Sequence, residues 1–154
     1  MFSLFKKKTP AIFSPVEGQL IPLSEVNDPV FAQGMMGPGF AVEPISDELF
    51  SPVNGKVISI FPTKHAIGIE REDGKELLIH IGIDTVELNG EGFDILVKES
   101  DKVNPQTKIA VVDREFLKAQ GKESTIMVLF PGDTDHYTIQ SKVVQKAEEI
   151  SLNE

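Results

Sequence analysis

His65 and His80, fifteen residues apart, are the side chains of this sequence best suited to chemistry. They lie in two apolar, strand-like runs, F-P-T-K-H-A-I-G-I-E and L-L-I-H-I-G-I-D-T-V-E-L-N-G-E-G-F, joined by Arg71-Glu72-Asp73-Gly74. Asp-Gly between alternating β-formers is a strong hairpin signal. With Asp73 and Gly74 as the two central turn residues, His65 falls opposite Gly82 and Ile67 opposite His80. The imidazoles are then diagonal neighbours on one face, about 7–8 Å apart at the backbone. A loop one residue longer would send them to opposite faces. A single histidine on a strand is usually a satisfied core residue. Two on one face, followed by the acidic Asp84, point instead to a site.

A neutral imidazole is a good nucleophile near its ordinary pKa of about 6.5. A second imidazole beside it can donate a hydrogen bond to oxygens bonded to the first. Phe61, Ile67, Leu78 and Ile81 supply an apolar setting that disfavours imidazolium and keeps the nitrogen lone pair available. Ala66, Gly68 and Gly82 are small, which is expected to admit a bulky group. Thr63 precedes His65 by two residues, so on a continuous strand it shares that face and its hydroxyl can fix the ring's tautomer. Asp84 is a candidate to orient a ring or to face a cationic partner.

Three chemistries suit such a pair. A zinc-dependent hydrolase, or a metal-bridged regulatory binding protein, would use His65, His80 and Asp84. A catalytic zinc needs three protein ligands and an open position. No H-E-x-x-H or H-x-H spacing is present, and the remaining histidine, His136 in D-T-D-H-Y, is distant in sequence. A triad hydrolase needs an activated serine, and no G-x-S-x-G elbow occurs. A phosphoryl carrier needs one nucleophilic nitrogen, one oxygen-binding neighbour and an apolar docking surface. There is no P-loop to hold a nucleotide, so its donor would be another protein.

The elements that must position these residues are mostly strands. The chain has 154 residues, enough for one domain with a real core, at 40% hydrophobic and 25% charged. The absence of cysteine excludes disulfides, thiolate metal sites and a cysteine nucleophile, and suits a reducing, cytoplasmic setting. A net charge of −9 argues against nucleic-acid binding, which needs a basic footprint. Apolar runs fall far short of the roughly 18 residues of a membrane span, so no stable membrane insertion is expected. Residues 1–11 read as a flexible N-terminal segment, with Phe2, Leu4 and Phe5 ahead of three lysines, and residues 12–154 as a single domain.

Phe13-Ser14-Pro15-Val16-Glu17-Gly18-Gln19-Leu20-Ile21 recurs 37 residues later as Phe50-Ser51-Pro52-Val53-Asn54-Gly55-Lys56-Val57-Ile58. Each copy reads as a turn feeding a strand, so the repeat predicts a duplicated β-unit. Further strands are expected at Gly39 to Glu43, Phe93 to Lys98, Lys108 to Val112, Thr125 to Phe130 and Tyr137 to Ser141. Helical pattern is confined to Asp113 to Gln120, capped by Asp113 and ended by Gly121, with a second stretch at Val143 to Glu149. Gly34 to Gly39 reads as a loop crossing close to another part of the molecule. The expected class is all-β: an antiparallel sandwich or barrel with an internal duplicated β-unit and at most short helices.

From about Ile12 to Ser141 the sequence resembles the glucose-type enzyme IIA (EIIA) family of the bacterial phosphoenolpyruvate-dependent sugar phosphotransferase system. The densest match runs from T-K-H-A-I-G-I-E through H-I-G-I-D-T-V-E-L-N-G-E-G-F. The resemblance implies an antiparallel β-sandwich phosphocarrier without a cofactor, phosphorylated on His80. His65 would contact the phosphoryl group and Thr63 would position that ring. The donor would be the phosphocarrier HPr and the acceptor the IIB domain of a sugar permease. Docking positions matching the family are Val30, Phe31, Met36, Phe61 and Leu78, with Asp28 and Asp84. Enteric relatives also form a regulatory complex with zinc bridged between the two histidines and a partner carboxylate. Two departures accompany the match. The segment before Ile12 is shorter than the membrane-tethering arm of some enteric members, and the polar tail after Ser141 has no obvious continuation of the family's last strand.

Overall fold

The computed structural model describes residues 10–152. Apart from Pro10 and Ala11, the expected N-terminal segment lies outside the described residues. The strands are β1 (Ile12–Phe13), β2 (Gly18–Pro22), β3 (Gly39–Pro44), β4 (Glu48–Phe50), β5 (Gly55–Ile60), β6 (Ala66–Arg71), β7 (Glu76–Ile81), β8 (Phe93–Ile95), β9 (Lys102–Val103), β10 (Lys108–Val112), β11 (Ile126–Leu129), β12 (Lys142–Val144) and β13 (Glu149–Ile150). Among the described residues, two short helices, α1 (Pro29–Ala32) and α2 (Arg114–Ala119), and two 3-10 turns complete the regular structure.

The sequence repeat is the organising unit of this antiparallel β-sandwich. In both copies the serine of S-P-V folds back on its own chain. Ser14 Oγ donates to Val16 O at 2.7 Å and Ser51 Oγ to Val53 O at 2.6 Å, all four residues buried. The copies also bond to each other: Phe13 N–H donates to Pro52 O and Phe50 N–H to Pro15 O, each at 2.8 Å. From this junction the copies diverge in parallel ways. β2 pairs with β3 and edge strand β12, while β5 pairs with β6 and edge strand β9. The eight-stranded sheet, β12-β2-β3-β11-β7-β6-β5-β9, is therefore pseudo-symmetric about its central pair, β11 and β7. The smaller pairings follow suit, with β13 on β1 and β10 on β4.

Strand alternation divides the apolar residues between two faces. Ile79, Ile81, Ile67, Ile69, Val128 and Phe40 turn inward to a core shared with Leu49, Ile109 and Leu117. On the outer face Ile21, Ala41, Met127 and Leu129 form a second, smaller cluster, covered by Leu23, Val26, Phe31 and Ile83. Phe31 reaches it from α1, whose first turn is capped by Asp28 Oδ1 accepting from Val30 N–H at 2.9 Å. In α2, Asp113 Oδ1 accepts from Phe116 N–H at 3.0 Å, and Gly121 follows the helix at φ +74°. This is the cap and stop expected there.

The C-terminal expectations need correction. Tyr137 to Ser141 forms no strand beyond an isolated bridge at Thr138, and Val143 to Glu149 is not helical. The tail after Ser141 does continue the sheets: Val144 pairs with Gly18, and Ile150 with Ile12. Val144 and Ile150 are buried while Val143 and Glu149 are exposed, a strand alternation too short to read without its partners.

Candidate functional site

The hairpin that carries the histidines is one residue longer than a two-residue Asp-Gly turn. Arg71 N–H donates to Lys75 O at 2.8 Å, and Gly74 N–H to Arg71 O at 2.9 Å, with Gly74 at φ +84°. Ala66 therefore lies opposite His80, and Ile81 N–H donates to His65 O at 2.7 Å. The expected pairing of His65 with Gly82 is wrong by one residue, and on two regular strands the imidazoles would face opposite ways. They do not, because β6 begins only at Ala66. His65 is the last residue of the β5–β6 connection, which is closed by Phe61 N–H donating to Ala66 O at 3.0 Å and Lys64 N–H to Phe61 O at 2.7 Å. Lys64 sits at φ +61°, which turns the chain before the strand starts and frees His65 from its alternation. The two rings meet edge to face, their centroids 5.0 Å apart.

Each ring is held from behind. His80 Nδ1–H donates to Gly82 O at 2.9 Å. A carbonyl can only accept, so in the neutral ring Nδ1 carries the proton and Nε2 the free lone pair. His65 Nδ1 lies 2.6 Å from Thr63 Oγ1, a contact made within the connection rather than along a strand face as expected. Phe31 tilts against His80 at 4.8 Å between centroids, and Phe61 meets His65 edge-on at 5.6 Å. His65 is only 8% exposed, and His80 is half-buried. Desolvation lowers the pKa of both. His80 falls to about 4, chiefly through burial and then through neighbouring His65, against the Gly82 hydrogen bond and the charge of Asp28. Both imidazoles are neutral at pH 7.

The surrounding candidates separate by exposure. Val30 and Phe61 are 40% and 39% exposed, and Met36 and Leu78 are half-buried. Phe31, expected on the surface, is 7% exposed and belongs to the second cluster, where it forms the floor beneath His80. Asp28 is half-buried at the start of α1. Asp84 is exposed, at φ +59° at the head of the 3-10 turn Thr85–Leu88. The group that orients His80 is the Gly82 carbonyl and not Asp84. Gly82 itself is buried at φ +79°, so its lack of a side chain serves the backbone turn rather than the approach of a bulky group. A Cβ on Gly68 would meet Ser59 Oγ, and Ala66 is fully buried. Two exposed apolar residues that sequence reasoning missed are Met35, just after α1, and Val86, on the turn that follows Asp84. Their apolar type was legible, but not that their segments leave them uncovered.

A zinc centre at His65, His80 and Asp84 has no geometric support: among the described residues, no group of three His, Cys, Asp or Glu side chains is arranged to hold a metal ion. His136 is exposed in the connection between β11 and β12. No helix among the described residues is long and apolar enough to cross a membrane.

The family model for the phosphoenolpyruvate-dependent sugar phosphotransferase system, EIIA 1, matches residues 10–136. A glucose-specific EIIA component from Staphylococcus aureus is 44% identical over 129 residues, covering 84% of this chain and 77% of that one. Its counterpart from Halalkalibacterium halodurans is 43% identical over 144 residues, 92% of this chain and 83% of the relative. A glucose-specific EIICBA component from Streptococcus pneumoniae is 48% identical over 126 residues, which are 82% of this chain but 17% of that longer protein. The solved structure of glucose permease IIA from Mycoplasma capricolum superposes with a TM-score of 0.83 at 34% identity, covering 94% of this chain and 95% of that one. With a β-sandwich that superposes on glucose permease IIA and a family match over residues 10–136, this chain belongs to the EIIA family of the phosphoenolpyruvate-dependent sugar phosphotransferase system, as a phosphoryl-carrying component.

Proposed function

We propose that His80 Nε2 accepts a phosphoryl group from phosphorylated HPr and passes it to the IIB domain of a sugar permease. The observation that carries this reading is the hydrogen bond from His80 Nδ1–H to Gly82 O, which commits the free lone pair to Nε2. A pKa of about 4 keeps that lone pair unprotonated at neutral pH. In the transfer, the bond from phosphorus to His80 Nε2 forms as the bond to the donor's leaving atom breaks. Onward transfer reverses the step with a IIB nucleophile. The chain is thus a covalent phosphohistidine carrier, working in the cytoplasm.

His65 acts on the phosphoryl oxygens rather than on phosphorus. When the Thr63 hydroxyl donates to His65 Nδ1, the neutral ring keeps its proton on Nε2, where it can donate to an oxygen of the group on His80. Partners dock on the apolar surface of Val30, Met36, Phe61 and Leu78, with Phe31 beneath it and Asp28 and Asp84 at its acidic rim. Such a rim attracts a basic partner and governs encounter rate. The test is intact mass after incubation with phosphoenolpyruvate, enzyme I and HPr. One phosphoryl group adds about 80 Da, labile in acid and stable in base for a phosphohistidine. The His80→Gln protein should take up no label, and undiminished labelling of that variant defeats the assignment.

A further inference from the structure

We infer that Thr85 is a positioning residue for the transfer: its hydroxyl, acting through the Ile81–Gly82 peptide, sets which nitrogen of His80 carries the lone pair. This rests on the reading that His80 Nε2 accepts the phosphoryl group. Thr85 is four residues beyond the end of β7 and fully buried. Its Oγ1–H donates to Ile81 O. The other polar group of the same peptide, Gly82 N–H, donates to Thr125 O at 2.8 Å. Both ends of the Ile81–Gly82 peptide are therefore held, one by a side chain and one by the neighbouring β11 segment.

With that peptide plane immobile, the left-handed φ of +79° at Gly82 brings the next carbonyl, Gly82 O, back toward the ring two residues earlier. Thr85 also enforces the turn sterically. A Cβ on Gly82 would come within 2.4 Å of Thr85 Cγ2 and 2.9 Å of Glu123 O, so the site admits only glycine. Ile83 N–H, donating to Glu123 O at 3.0 Å, anchors the far side of the turn. Without the hydroxyl, Ile81 O loses its side-chain partner in a buried setting, and the peptide is held only at its other end, by Gly82 N–H on Thr125 O. Gly82 O then drifts from Nδ1, and the ring is no longer held as the Nδ1–H tautomer. The methyl of Thr85 shapes the turn, whereas the hydroxyl selects the tautomer.

The experiment reads the tautomer directly, by nitrogen-15 NMR of the imidazole of His80 in the full, unphosphorylated chain. Wild type and Thr85→Ser should show His80 as a single Nδ1–H tautomer, because both keep the hydroxyl. Thr85→Val, which keeps the shape, should show a mixture with Nε2–H. If the Nδ1–H form falls to about one tenth, acceptance from phosphorylated HPr should slow about tenfold, in proportion to the competent fraction. A Thr85→Val protein that retains a pure Nδ1–H ring overturns the inference, yet leaves His80 as the carrier. Should Thr85→Val fail to fold, Thr85→Ala read against Thr85→Ser decides: a mixed tautomer in Thr85→Ala with a pure one in Thr85→Ser supports the inference, and the same tautomer in both overturns it. Loss of labelling in wild type would instead strike the carrier assignment, a result the tautomer spectrum does not depend on.

Discussion

The imidazoles of His65 and His80 meet edge to face at 5.0 Å although the register of their hairpin pairs His65 with Ile81 and His80 with Ala66. The contact exists because His65 stands one residue ahead of β6, after the left-handed Lys64. That asymmetry, one histidine on a strand and one at the end of a loop, suggests a division of labour.

Replacing the two histidines should separate the half-reactions. His80→Gln abolishes labelling by phosphorylated HPr. His65→Gln still accepts the group but passes it to the IIB domain on the order of 100-fold more slowly, the usual loss when one preorganised donor is removed from developing charge. Equal impairment of both half-reactions, or of neither, argues against this division.

The pH dependence follows from burial. With the pKa of His80 lowered to about 4, acceptance should stay flat from neutral pH down to about pH 5, whereas an ordinary imidazole is half protonated at about 6.5. The same shift enters stability. The unfolded chain binds a proton at His80 as pH drops through about 6.5 while the folded chain resists until about 4, so stability is lost across that window. Denaturant titrations at several pH values should show a shallower loss for His80→Gln than for wild type. An acceptance rate that halves near pH 6.5 contradicts the buried, neutral ring.

Docking and packing should come apart at neighbouring phenylalanines. Phe61, 39% exposed, is proposed as a docking contact, so Phe61→Ala should weaken HPr binding by roughly tenfold with little change in melting temperature. Phe31, 7% exposed and packed on His80, should behave as core, with Phe31→Ala costing about 3 kcal/mol of stability. Asp84→Asn should mainly slow association at low salt. Titration calorimetry and thermal melts on the same variants distinguish these outcomes.

The repeat junction predicts matched energetics far from the histidines. Ser14→Ala and Ser51→Ala each remove a buried hydroxyl from a carbonyl, at 2.7 and 2.6 Å, and should each cost about 1–3 kcal/mol. Because Phe13 bonds to Pro52 and Phe50 to Pro15, the two losses should couple rather than add. Denaturant melts of the single and double variants measure this, and strict additivity would mean that the two copies are energetically independent.

Local chemistry determined a good deal of this protein. The F-S-P-V-x-G phrase, the turn at Asp73-Gly74 and the cap and stop around α2 are short-range signals, readable because their hydrogen bonds close within a few residues. The pairing of His65 with His80 was legible for the same reason, through a hairpin, although by a register one residue off. Only the tertiary structure decided what depends on partners distant in the chain. Val144 and Ile150 became strand residues because β2 and β1 offered them pairing, which their own sequence could not reveal. Phe31 sank into the second cluster because Ile21, Met127 and Leu129 form a surface there. Gly82 took its role from Thr125, Glu123 and Thr85 closing around it. A side chain's type is local, but its face and burial belong to whatever packs against it.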